Sequence, residues 1–289
     1  MPAYFRPTSL ADALAIRAQR PVTVLAGGTD VYPARTARVG WGDMRRDDIL
    51  DISALGELKG IAEERERFRF GALTTWAELR RAALPPAFAG CQKAAREVGG
   101  VQIQSRGTLA GNICTASPAG DGIPCLLSLD AEVELASAHG RRLVAMTDFI
   151  DGYRHTVHGA DELVTAILVP KPPATALGDF VKLGARRYLV ISIVMAAAVL
   201  AADATDAITH ARIAVGACSA VAQRLPGLEQ ALLGQPLVTA PELVQTEHLA
   251  PLAPIDDVRA SGAFRAAAAA DVVRDLLAGI AGEPCRSAE

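Results

Sequence analysis

No C-x-x-C pair occurs anywhere in this sequence; Cys91, Cys114, Cys125, Cys218 and Cys285 lie far apart. Structural zinc and iron–sulfur centres draw on clustered thiolates, so no iron–sulfur cluster is expected on this chain. The odd cysteine count, with no apolar segment behind a basic N-terminus, predicts free thiols and a cytoplasmic protein. Aromatic residues are scarce at 4%, and 29 Lys and Arg are outnumbered by 32 Asp and Glu. Stacking rings and a basic surface are both wanting, which excludes nucleic acid as an expected partner. No apolar run reaches the ~20 residues that span a bilayer. The longest, residues 189–202, is broken by Ser192 and reads as a buried strand or a buried helix. His155 and His158 lack the glutamate and third ligand of a zinc motif, so no metal site is expected. Ser117 and Ser219 lack the strand–turn–helix context of a hydrolase nucleophile.

What the chain does have is a large apolar content, 51% hydrophobic against 21% charged over 289 residues, enough for two domains or subdomains. A helix over 9–19, opened by Ser9, and strands over 22–26 and 49–52 predict a small α/β unit. Strands follow over 58–62 and 68–72, joined by the solvated charge run Glu63-Glu64-Arg65-Glu66-Arg67. Thr75 and Glu78 have capping-box spacing, Pro85-Pro86 separates that helix from one over 87–98, and strands follow over 131–137, 143–146 and 163–169. The charged segment around Arg45-Arg46 reads as another solvated loop. Pro170-Lys171-Pro172-Pro173 marks a domain junction, because prolines at that density stiffen a connection and cannot sit in a central strand. Beyond it, strands over 179–184 and 211–215 and helices over 226–233, 241–249 and 261–281 predict an α+β unit.

Two glycine-rich runs carry the chemistry. Val24-Leu25-Ala26-Gly27-Gly28-Thr29-Asp30 has an apolar lead-in followed by paired glycines, which is either a plain tight turn or a nest of N–H groups for an anion. The second run extends from Thr108 through Gly111, Asn112, Thr115 and Ser117 to Asp121, and reads as a turn-rich cradle that sets hydroxyls and an amide beside exposed main chain. Two cradles predict one long ligand. Asp121 taken alone also suits an Asx turn, and Lys182 an ordinary strand lysine.

These runs, with Arg106-Gly107-Thr108-Leu109-Ala110-Gly111-Asn112, Ala116-Ser117-Pro118-Ala119-Gly120-Asp121 and Lys182-Leu183-Gly184-Ala185-Arg186-Arg187, resemble the flavin-binding medium subunit of the molybdenum hydroxylases. That group includes the carbon monoxide dehydrogenases, xanthine dehydrogenases and aldehyde oxidases, and the resemblance spans nearly the whole chain. It implies an α+β fold: a PCMH-type, vanillyl-alcohol oxidase-like FAD-binding domain over 1–171, with subdomains of about 1–56 and 57–171. A C-terminal α+β domain over 174–285, with a small antiparallel sheet and helices, would follow. It further implies noncovalent FAD, with residues from Val24 to Val31 around the diphosphate, and Thr108 and Asn112 on phosphate and ribitol. Asp121 would lie near the adenosine or ribityl part, and Val164 and Lys182 would touch the flavin. A cation at Lys182 would favour the reduced ring. The implied role is electron transfer, from 2Fe–2S clusters on a small partner to an external acceptor. Molybdopterin and the substrate would sit on a large partner, in a heterotrimer that can double into a dimer of heterotrimers. Ala110 departs from a glycine common in the family, and the four-cysteine insert of the hydroxybenzoyl-CoA reductase branch is missing. A stand-alone flavin oxidase and a flavin-free assembly protein of the same fold are the alternatives.

Overall fold

The computed structural model describes residues 2–43 and 47–282; Arg45-Arg46 of the predicted charged loop and Cys285 at the predicted domain end lie outside the described residues. The first sheet is parallel, with β1 (Tyr4–Phe5), β2 (Thr23–Leu25) and β3 (Ile49–Asp51) in the order β1-β3-β2. Helix α1 (Leu10–Gln19) connects β1 to β2, and Ser9 accepts the Asp12 N–H as its N-cap. Helix α2 (Val31–Gly40), between β2 and β3, was not legible in the sequence, since none of its residues is buried and it has no apolar stripe to read.

The second sheet is antiparallel and contains β4 (Ile61–Glu63), β5 (Arg67–Gly71), β6 (Glu132–Ser137) and β7 (Gly140–Ala145). After the hairpin of β8 (Ile150–Gly152) and β9 (His155–Thr156), β10 (Leu163–Pro170) returns to lie between β5 and β6. The glutamate–arginine run forms the β4–β5 turn, as expected, but the predicted strand over 58–62 begins late because Gly56–Leu58 is a 3-10 turn. Between β5 and β6 come α3 (Trp76–Arg81), α4 (Ala89–Glu97), α5 (Val101–Arg106), α6 (Leu109–Thr115) and α7 (Gly122–Ser128), and between β7 and β8 the short α8 (Met146–Phe149). Thr75 and Glu78 form the expected capping box.

The second glycine-rich run is only half turn: its first part, Leu109–Thr115, is helix α6, and the turns expected there are confined to residues 116–121. Thr108 caps this helix by accepting the Gly111 N–H, while Leu109, Ala110 and Ile113 form a buried stripe. The starts of α3 and α6 are tied together, Trp76 N–H to the Gly107 carbonyl (3.1 Å) and Leu109 N–H to the Thr74 carbonyl (3.0 Å). This fixes where α6 begins relative to the second sheet.

The third sheet is antiparallel and orders β11 (Leu177–Leu183), β12 (Val194–Ala202), β13 (Ile208–Gly216) and β14 (Gln223–Arg224) as they occur in sequence. Only residues 194–202 of the apolar run form a buried strand, β12; Leu189 and Ile191 at its start lie outside the strand and are exposed. Val194, Ala196, Ala198 and Leu200 face one core, while Met195, Ala197, Val199 and Ala201 face the other, so both faces are buried and no alternation survives in the sequence. One core packs β12 against the first two sheets and their helices; the other packs it against α9 (Pro226–Leu232) and α10 (Gly262–Ala281). The close approach of α4 to β11 requires Gly90, where a Cβ would lie 2.6 Å from the Asp179 carbonyl oxygen. The predicted helix over 241–249 is instead two 3-10 turns, Leu237–Leu243 and Thr246–Leu249, with Pro241 inside the first. The alanine tract lies within α10, which runs from its Ser261 cap to a left-handed Gly282.

In the loop before α10, Asp257 accepts the Arg259 and Ala260 N–H groups and pairs with Arg265 at 2.7 Å; these bonds hold its carboxyl down at about 2. An unfolded aspartate titrates near ~3.9. The lower folded value means the stabilisation is complete above that pH and is lost as the pH falls toward 2. Thermal unfolding followed by circular dichroism should show this loss between pH 4 and about 2, and Asp257→Ala should reduce it.

Candidate functional site

The end of β2 and the end of α5 meet at a single point. A Cβ on Gly27 would sit 1.9 Å from the Arg106 carbonyl oxygen, and Gly28 turns the chain away with φ of 75°. The two glycine runs are thus in direct contact, and between them opens a cavity of about 480 Å³. Ligand pockets fall in the range of ~300–1,000 Å³. One wall consists of Val24 and Ala26, Gly27, Gly28, Thr29, Asp30 and Val31; the other of Thr108, Gly111, Asn112, Thr115 and Ser117, with Val164 from β10 between them. Leu25 points away and is buried.

Several polar groups on these walls hold each other. Thr115 donates to the Asp30 carboxylate at 3.2 Å, which links the walls, and Asn112 Oδ1 accepts the Gly122 N–H at 3.1 Å. Ser117 Oγ accepts the Ala119 N–H at 3.3 Å. The lining offers hydroxyls and glycine main chain, the donor set of an anion-binding nest, and a side chain at Gly27 could not fit. Those residues fit a dinucleotide with a diphosphate at the glycine turn.

Asp121 and Lys182 lie outside this lining. Their side chains, each 5% exposed, pair at 2.6 Å, and the other Asp121 oxygen accepts from Ser192 Oγ at 2.7 Å. The pair joins the start of α7 to β11, across 61 residues of sequence. Nearby, burial pushes the Glu97 carboxyl up, in a field set by Lys182, Asp121, Lys93 and Asp179.

The cavity also recruits residues from outside the two glycine runs. Arg17 from α1 donates to the carbonyls of Glu162 (2.7 Å) and Val22 (3.2 Å), so its guanidinium bolts the first sheet to the second. Arg154, at a positive φ of 51° in the β8–β9 turn, lines the same end as His158. His158 stacks on Phe149, and its burial lowers its pKa, keeping it neutral at pH 7. His155 instead bonds Asp151 at 2.5 Å, so the two histidines have separate partners. Arg17 was expected only as part of the helix over 9–19 and His158 only as half of an incomplete metal pair, so neither was expected at the cavity.

Cys114 is exposed on the cavity wall, and the desolvating surroundings of that recess push its thiol up to about 12. The thiol is neutral at pH 8. Iodoacetamide should accordingly label it more than about a hundredfold more slowly than a free thiol with pKa ~8.5, read by mass spectrometry of the flavin-free chain.

Comparison with known proteins agrees with this geometry. Residues 1–172 match the family described as FAD binding domain in molybdopterin dehydrogenase, and residues 179–280 match the CO dehydrogenase flavoprotein C-terminal domain. The chain is 32% identical over 241 residues to the nicotinate dehydrogenase FAD-subunit of Eubacterium barkeri, covering 81% of this chain and 80% of that protein. It is 28% identical to the nicotine 6-hydroxylase medium subunit of Paenarthrobacter nicotinovorans, covering 95% of each. Among solved structures, the reconstituted CO dehydrogenase from Oligotropha carboxidovorans superposes with a TM-score of 0.88 at 26% identity, covering 98% of this chain and 99% of that one. The chain belongs to the flavoprotein family of the molybdenum hydroxylases, built as a molybdopterin dehydrogenase-type FAD-binding domain followed by a CO dehydrogenase flavoprotein C-terminal domain.

Proposed function

We propose that this chain is the FAD-containing electron-transfer subunit of a molybdopterin-dependent hydroxylase or dehydrogenase. The observation that carries this reading is the interlock of the two glycine runs at Gly27 and Arg106, which lets one cavity present both runs to a single ligand. FAD bound there exchanges one or two electrons, the chemistry that joins 2Fe–2S clusters on a small partner to an external acceptor. Residues Val24 to Val31 would hold the diphosphate, with Leu25 behind them as support. Thr108, Gly111, Asn112, Thr115 and Ser117 would hold phosphate and ribitol, and Val164 an apolar part. Asp121 would lie near the adenosine or ribityl part and Lys182 by the flavin, and their ion pair joins the start of α7 to β11. Substrate oxidation would belong to a large molybdopterin partner.

The domain division is part of the proposal: 1–171, with subdomains of about 1–56 and 57–171, then 174–285. It is supported by the first two sheets ending at Pro170 and the third beginning at Leu177. A cytoplasmic location is supported by Cys91 and Cys125, adjacent buried groups that both remain thiols. No described helix is long and apolar enough to cross a membrane.

The purified chain should carry the visible bands of oxidised flavin. Anaerobic substrate should bleach them only in the presence of both partners. A colourless preparation that takes up no added FAD would sink the cofactor reading, and bleaching by the chain alone would make it an oxidase in its own right.

A further inference from the structure

Arg265 is an arginine where the packing of α10 calls for an aliphatic side chain. It is 3% exposed, and its Nε is buried with no acceptor, which is destabilising in itself. Both terminal nitrogens of the guanidinium are engaged. Nη1 donates to the Ile193 carbonyl at 2.6 Å and to the Ala217 carbonyl at 2.9 Å, while Nη2 meets Asp257 at 2.7 Å. One planar cation thus grips the chain just before β12 and just after β13.

Both gripped points lead directly to the cavity wall. Ile193 follows Ser192, whose hydroxyl donates to Asp121. Ala217, held at a positive φ of 62°, donates its own N–H to the Pro118 carbonyl at 2.9 Å. Pro118 lies between Ser117 and Ala119, and those two residues with Gly120 line the cavity. The segment from Ser117 to Asp121 is therefore held at Pro118 by the Ala217 N–H and at Asp121 by the Ser192 hydroxyl, and Arg265 grips the main chain at or beside both residues.

We infer that Arg265 is a positioning residue for the cofactor site, setting the 117–121 wall through Ala217 and Ser192 without touching the cavity. The inference rests on the FAD reading of that cavity. A lysine at this position keeps a charge for Asp257 but cannot hold both carbonyls and the carboxylate in one plane.

The test measures FAD dissociation by fluorescence, the band shape of the bound flavin and the melting temperature, on the full chain. Arg265→Met should raise the FAD dissociation constant about tenfold and blur the flavin bands, with Arg265→Lys intermediate. Asp257→Ala, at the solvent edge, should shift binding in the same direction by less. Leu276→Ala removes core from the same helix and serves as the control: it should lower the melting temperature and leave FAD binding and the spectrum unchanged. Should Arg265→Met fail to fold, the lysine and Asp257→Ala variants decide the matter. Arg265→Lys and Asp257→Ala proteins with wild-type binding and spectrum overturn the inference, as does a Leu276→Ala protein that weakens FAD to the same extent. A wild-type chain that binds no FAD overturns instead the reading of the cavity on which the inference depends.

Discussion

Replacing Gly27 with alanine should yield a folded but colourless chain, with FAD affinity reduced by at least a hundredfold, more than ~2.7 kcal/mol of binding. The added methyl would lie 1.9 Å from the Arg106 carbonyl oxygen and 2.6 Å from its carbon. Those atoms are main chain and cannot swing aside. Gly107 is bonded back to the Ile103 carbonyl, and its own carbonyl accepts the Trp76 N–H, so the end of α5 is pinned from two sides. The turn after β2 must move instead, and it takes one wall of the cavity with it. Gly28→Ala should do less despite its φ of 75°, because its methyl would meet the Tyr32 ring edge at 3.1 Å and a Leu25 methyl at 3.3 Å, which can shift. Gly111→Leu should also lose FAD, since any Cβ there presses on the capping Thr108 oxygen at 2.8 Å and the larger side chain enters the cavity. Cys91→Ser, on the buried face of α4 and away from the lining, should retain FAD. Equilibrium dialysis on the four proteins checks the ranking. Wild-type affinity in Gly27→Ala would mean that the contact with Arg106 does not set the cavity.

The glycine runs were legible because close main-chain approach has a local requirement, the absence of a side chain, which is written at the position itself. Helix caps at Ser9, Thr75 and Ser261 were legible for the same reason. Burial on both faces was not, since a strand such as β12 shows only an unbroken apolar run that a buried helix would share. Helices α5 and α6 escaped notice because each is barely two turns long, too short to develop a period. The remainder of the cavity is tertiary by nature. Arg17, Arg154 and His158 arrive from separate elements, and nothing near them in sequence marks them as neighbours of Gly27. The Lys182–Asp121 pair has the same character: both positions drew attention through the family resemblance, but their partnership with each other did not.

That pair should produce the largest single loss of stability. Asp121→Ala leaves the Lys182 ammonium, 5% exposed, without its 2.6 Å partner, and breaking a buried pair from one side costs about 3–5 kcal/mol. Relief from neighbours is limited. Asp179 is already held by Lys93 at 3.0 Å, and the Glu97 carboxyl is raised by burial, which disfavours its charged form. Lys182→Met should cost a similar amount by stranding Asp121 with Ser192 alone. Asp121→Leu combined with Lys182→Met removes both charges and should recover most of the loss, because apolar replacement of a whole buried pair is often close to neutral. Urea denaturation of the chain without FAD and the double-mutant cycle give the coupling directly. Strict additivity of the two single losses would show that the ion pair contributes nothing as a pair. The double variant then separates two roles that the wild type combines. If the carboxylate and ammonium serve only to join α7 to β11, the stable double variant should bind FAD as the wild type does. If they also serve the cofactor site, by contact with FAD or through the 117–121 wall that Asp121 anchors to Ser192, it should be stable and yet bind FAD poorly, and that combination is the expected result.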